Sequence, residues 1–87
     1  MQKVEPELLG FVRLPMYESS AKGLLDDEAE RALEQVLADD PDAGATIANT
    51  GGVQKLRIAL PGRGKRGGAR VIYYHRARAG RIYLLLA

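Results

Sequence analysis

Six cations, Lys55, Arg57, Arg63, Lys65, Arg66 and Arg70, crowd one short stretch that runs directly into Tyr73, Tyr74 and His75. These residue types suit phosphate chemistry. Cations can hold a phosphate diester and stabilise the charge that builds on it, an aromatic ring can stack on a splayed base, and an imidazole can carry a proton. What the stretch lacks narrows the chemistry further. Residues 51–87 contain no serine, cysteine or paired carboxylates, so no nucleophile triad can be assembled there. The string GRGKRGG, residues 62–68, departs from the phosphate-loop pattern because Arg66 stands where Ser or Thr should follow Lys65, and no strand-to-helix step surrounds it. The bland alternative is a solvated basic sheet with half-buried tyrosines.

Charge is divided along the chain. Residues 1–50 carry four cations against all 11 acids, a balance of −7, while residues 51–87 carry nine cations and no acid, a balance of +9. The overall +2 is therefore a cancellation between two opposed halves. An unbroken basic block attracts polyanions, of which phosphate backbones are the commonest in a cytosol. With no cysteine and one histidine, disulfides and His-rich or Cys-rich metal sites are excluded, and neither a metal nor another cofactor is expected. The first residues, MQKVEPELLGF, hold acids where a leader would hold cations, and the apolar runs are short, so a cytoplasmic location is expected, with no membrane partner. A chain of 87 residues fits one domain, here taken as 1–87, with a modest core.

The elements that must position these residues can be read from periodicity. Residues 8–14 read as a first strand stopped by Pro15, followed by a short helical turn through about Lys22. LLDDEAERALEQVLADDP, residues 24–41, predicts an amphipathic helix. Asp26 or Asp27 caps it, Asp27 and Glu30 have capping-box spacing, and Leu25, Ala29, Leu33, Val36 and Leu37 recur on one face. Residues 41–52 should be mainly loop. In residues 53–60, alternation sends Gln54, Leu56, Ile58 and Leu60 to the core and Lys55 and Arg57 outward. A glycine-rich basic tip over 61–68 joins this strand to a return strand over 69–76. A regular pleat there sets Arg70, Ile72 and Tyr74 beside Lys55 and Arg57, whereas a bulge near the glycines would substitute Tyr73 for Tyr74. His75 then faces away from Arg70, which favours a structural role for it. Residues 81–87, RIYLLLA, more uniformly apolar than the two strands before it, read as a third strand, central or covered on both faces. The expected class is α+β: an N-terminal strand and helices packed on an antiparallel β-meander.

From Phe11 onward the sequence resembles the RelE/ParE superfamily of type II toxins, in its HigB-like branch. The most specific portion is NTGGVQKLRIALPGRGKRGGARVIYY, residues 49–74, and the helix pattern L-x-D-E-x-E-x-x-L-E-x-x-L followed by D-P-x-A-G agrees with it. The resemblance implies a RelE-like fold and a metal-independent mRNA interferase, an endoribonuclease that cleaves mRNA on the ribosome and inhibits translation. The attacking group in that family is the RNA's own 2′-hydroxyl, which accounts for the missing triad. It further implies catalytic roles for Lys55, Arg57, Arg70 and Tyr73, and RNA binding by Arg63, Lys65, Arg66 and Tyr74. The implied partners are mRNA on the ribosome and a cognate antitoxin of helix-turn-helix type. Gln54 stands where this branch usually has Arg, and the family's C-terminal tail does not follow Ala87, so an attenuated toxin is expected. Non-catalytic alternatives are a ParE-like inhibitor of DNA gyrase and an inactive RNA- or ribosome-binding relic.

Overall fold

The computed structural model describes residues 10–60 and 68–87. In chain order the elements are β1 (Gly10–Arg13), α1 (Pro15–Ala21), α2 (Asp27–Asp39), β2 (Ala45–Thr46), β3 (Val53–Ile58), β4 (Ala69–Arg76), a 3-10 turn (Ala77–Ala79) and β5 (Arg81–Leu86). The five strands form one sheet in the order β1-β5-β4-β3-β2. Strands β3, β4 and β5 make the antiparallel meander, β2 pairs antiparallel with β3, and β1 returns parallel to β5. The fold is α+β, and β5 is an interior strand as its apolar sequence requires. The two-residue β2 is the one piece of sheet that interrupts the expected loop over 41–52.

Local chemistry explains the helix starts. Pro15 ends β1 and opens α1, where its fixed φ suits the first helical turn and its missing N–H is no loss. The Asp26 side chain accepts a hydrogen bond from the Ala29 N–H at 2.8 Å and so caps α2. Because the cap is Asp26, the Asp27–Glu30 box is not the one used. Glu30 instead accepts the Tyr17 hydroxyl at 3.1 Å, and Arg13 of β1 pairs with Glu34.

The core lies between the helices and one face of the sheet. Leu25, Ala29, Leu33 and Leu37, four residues apart along α2 and just before it, bury together with Tyr17 and Ala21 of α1. Their partners across the layer are Ala69, Val71 and Tyr73 of β4 and Ile82 and Leu84 of β5. Val36, expected on the buried stripe, is 40% exposed: the stripe is a single i, i+4 row, and Val36 falls one position to its side. No helix among the described residues is long and apolar enough to cross a membrane.

Candidate functional site

Strand register decides which side chains meet. In the β3–β4 ladder, Arg57 stands opposite Arg70, Lys55 opposite Ile72, and Val53 opposite Tyr74. Directly opposed residues share a face, with Cβ atoms about 4.5–5.5 Å apart. Lys55, Arg57, Arg70 and Tyr74 are therefore brought together on the face turned away from the buried cluster of helices and sheet. The pleat of β4 stays regular through this stretch. The one irregularity near it lies in the β4–β5 ladder, where Ile72 pairs with Leu86 and Tyr73 with Leu84, so β5 carries the extra residue.

Tyr73 takes the other face. It is fully buried beneath the helices, and its hydroxyl donates to the Pro41 carbonyl at 3.0 Å and accepts the Gly44 N–H at 2.9 Å. Burial raises the phenol above its ordinary pKa; the Gly44 amide pulls it down, and the carboxylates of Asp42 and Asp40 push it up again. The catalytic role expected of Tyr73 is thus not supported by its placement: its hydroxyl is committed to holding the 41–44 turn against the sheet. Gly44 is required by the same contact, since a Cβ there would lie 2.6 Å from the Lys55 carbonyl oxygen and 2.9 Å from the Tyr73 hydroxyl. Arg63, Lys65 and Arg66, the expected RNA-binding tip, lie outside the described residues.

The same register adds two cations that the motif reading passed over. Arg76 keeps the parity of Arg70 and Tyr74 along β4, and it stands opposite Arg81 of β5. The open face thus carries, in order along β4, Arg70, Ile72, Tyr74 and Arg76, a run of about 20 Å at roughly 3.3 Å per residue. Arginine pairs face each other at both ends, Arg57 with Arg70 and Arg76 with Arg81. Alternation alone could have placed Arg76; Arg81 needed the register of β5. Like charges directly opposite on a sheet are destabilising, and among the described residues none of these arginines has a carboxylate partner.

Two openings lie along this edge of the sheet. A hollow of about 240 Å³ is bordered by Ala45, Lys55, Leu56, Arg57 and Arg70. A second, open cleft of about 340 Å³ lies by the loop between β2 and β3, with Tyr74, Gln54, Thr46 and the Asp42–His75 pair on its walls. Gly52, with φ +116°, brings bare backbone against the Tyr74 ring, where a Cβ would sit 3.2 Å from the ring edge. Gln54, only 5% exposed, donates its amide to the Gly44 carbonyl at 3.1 Å. The polar residue in the inward row of β3 is therefore satisfied by the turn that Tyr73 also holds. Arginines and lysines without acids can bind and neutralise a phosphate chain, and Tyr74 can stack a base between them. No family model matches the sequence.

Proposed function

We propose that this protein is the RNA-cleaving toxin of a toxin–antitoxin pair, a RelE-like domain that cuts mRNA on the ribosome without a metal ion. The observation that carries this reading is the cross-strand register, which opposes Arg57 to Arg70 on the helix-free face beside Lys55 and Tyr74. Two guanidinium groups held face to face at some cost in stability suit an anion that binds between them. In a phosphodiester cleavage led by the RNA's 2′-hydroxyl, negative charge builds on the phosphate oxygens as the new bond forms. Lys55, Arg57 and Arg70 supply donors for that charge, and Tyr74 supplies a ring on which a neighbouring base can stack. Arg76 and Arg81 extend the same face for the adjoining backbone. An antitoxin would silence the protein by covering this basic face with an acidic or helical segment. The cytoplasm, where ribosomes work, is the compartment this activity requires.

Primer extension on cellular mRNA after induction tests the proposal. Wild-type protein should produce breaks within translated codons. Arg70→Ala and Lys55→Ala should reduce them by about 10²- to 10³-fold, the cost of removing one group that stabilises developing charge, with circular dichroism unchanged. Intact mRNA accompanied by broken chromosomal DNA would replace this activity with inhibition of a topoisomerase such as gyrase. Intact mRNA and DNA together with salt-dependent ribosome binding would leave only a binding module.

A further inference from the structure

We propose that Tyr83 and Tyr74 form a stacking platform for two bases of an unpaired RNA strand, with Arg76 and Arg81 holding the backbone beside it. The inference rests on the reading above for RNA as the ligand, and not for its cleavage. Tyr83 stands directly opposite Tyr74 in the β4–β5 ladder. Its neighbours in β5, Ile82 and Leu84, are fully buried under the helices, so Tyr83 shares the open face with Tyr74. Both tyrosines are half-buried there. Tyr17 and Tyr73 commit their hydroxyls to the fold, whereas among the described residues those of Tyr74 and Tyr83 have no hydrogen-bond partner.

The register sets the two tyrosines in one row across the sheet. Val53 of β3 flanks Tyr74 on one side, and Val12 of β1 flanks Tyr83 on the other. Directly opposed residues have Cβ atoms about 4.5–5.5 Å apart, so the rings occupy neighbouring positions and not one shared site. One two-residue step along β4, about 7 Å, leads to the row of Lys55, Ile72 and Leu86. Leu86 is 39% exposed there and gives the step an apolar floor beside the Lys55 ammonium. A step of the same length in the other direction reaches Arg76 and Arg81. The tyrosine row is thus bracketed by cations on both sides.

Cation, ring and cation in successive rows match phosphate, base and phosphate along an extended strand. Bases inside a duplex are stacked on one another and offer no free face to a ring. Bases of an unpaired strand can splay, each onto its own aromatic side chain, which is how single-stranded RNA is held on a sheet. Arg76 and Arg81 are exposed, and among the described residues neither has a carboxylate partner. Their planar guanidinium groups match phosphate oxygens in geometry as well as charge. An acidic peptide would also answer the arginines, but it would not require two aromatic faces set between two rows of cations. The assignment gives Tyr83 and the Arg76–Arg81 pair one ligand, an unpaired strand whose path runs along β4.

The test is fluorescence anisotropy of the full chain with 2′-O-methyl RNA, which lacks the attacking hydroxyl and so reports binding apart from cleavage. The wild type should bind a single strand more tightly than a hairpin duplex of the same composition. Tyr83→Leu should weaken single-strand binding by about 5- to 150-fold, the loss on removing one stacking ring, with the salt dependence unchanged. Tyr83→Phe keeps the ring and should retain the affinity. Arg81→Gln, at an exposed position, should weaken binding and make the salt slope shallower by about one unit. Circular dichroism of each variant should match the wild type, and Arg81→Gln carries the test if Tyr83→Leu does not fold. Wild-type affinity in either folded variant, or equal affinity for duplex and single strand, would overturn the platform. Preference for a polyglutamate peptide over RNA would replace it with a protein-docking face. Intact mRNA on induction, with this binding pattern retained, would overturn cleavage alone. Unchanged breaks and unchanged binding in Tyr83→Leu would overturn the platform and leave cleavage standing.

Discussion

Tyr73 and Tyr74 are adjacent in sequence and have opposite lives. Tyr73 is sealed under α1 and α2 with its hydroxyl bonded twice to the 41–44 turn, whereas Tyr74 lies half-buried on the open face, between two pairs of opposed arginines. The same division runs along the whole of β4: Ala69, Val71 and Tyr73 are buried, and Arg70, Ile72, Tyr74 and Arg76 face the other way. One row of the strand holds the fold together while the other arranges charge. A strand has a side-chain period of two, so these demands can be met independently in one segment. Substitutions in the two rows should therefore damage different properties.

The largest effect is expected in the buried row and its cover. Leu33 sits fully buried at the centre of the α2 stripe, against the sheet. Leu33→Ala should cost about 2–5 kcal/mol of stability through lost burial and the cavity left behind, read from urea unfolding. The folded fraction should keep its RNA affinity, because no cation moves. Loss of RNA binding in full proportion at temperatures where the variant is folded would show that the two rows are not independent.

A smaller effect is expected at the tyrosine pair. Tyr73→Phe leaves the Gly44 N–H and the Pro41 carbonyl without their partner, at a cost of about 1–3 kcal/mol. Tyr74→Phe should leave stability nearly unchanged and keep the stacking ring. The Tyr73 variant should also flatten the alkaline side of the stability profile. The folded phenol has its pKa raised above the unfolded value, chiefly by burial, so its stabilising contribution is intact below about pH 10 and is lost as pH rises through the folded value. Equal alkaline slopes for wild type and Tyr73→Phe would contradict that account.

Much of this division was legible in the sequence, and the exceptions have physical causes. Alternation in 53–60 separated Lys55 and Arg57 from Gln54, Leu56, Ile58 and Leu60, and the ladder keeps that separation. The choice between Tyr73 and Tyr74 stayed open because one bulge reverses every side chain beyond it; the irregularity falls in β5, where no turn residue marks it. Val36 was misplaced because a valine on the rim of a helical stripe reads like one in the centre. The Asp42–His75 contact spans 33 residues, and the Arg76–Arg81 pair depends on the 3-10 turn between them. Neither has a local pattern. Both follow only from tertiary register.

The smallest effect is the most discriminating for the open face. Arg57→Gln keeps most of the side-chain stem and removes one member of the Arg57–Arg70 pair. If the two guanidinium groups repel across the ladder, the variant should be more stable than the wild type by about 0.2–1 kcal/mol. In a domain of this size that is a rise of a few degrees in Tm. The gain should be greatest at low ionic strength and fade as salt screens the pair, since both side chains are exposed. RNA affinity should fall at the same time, with a shallower salt slope by about one unit, as expected when one phosphate contact is lost. Stability and binding would then move in opposite directions on one substitution, which is what a charge kept for a ligand predicts. A salt-independent loss of stability in Arg57→Gln would show instead that this arginine is held by packing, and the opposed pair would cease to argue for an anion between its members.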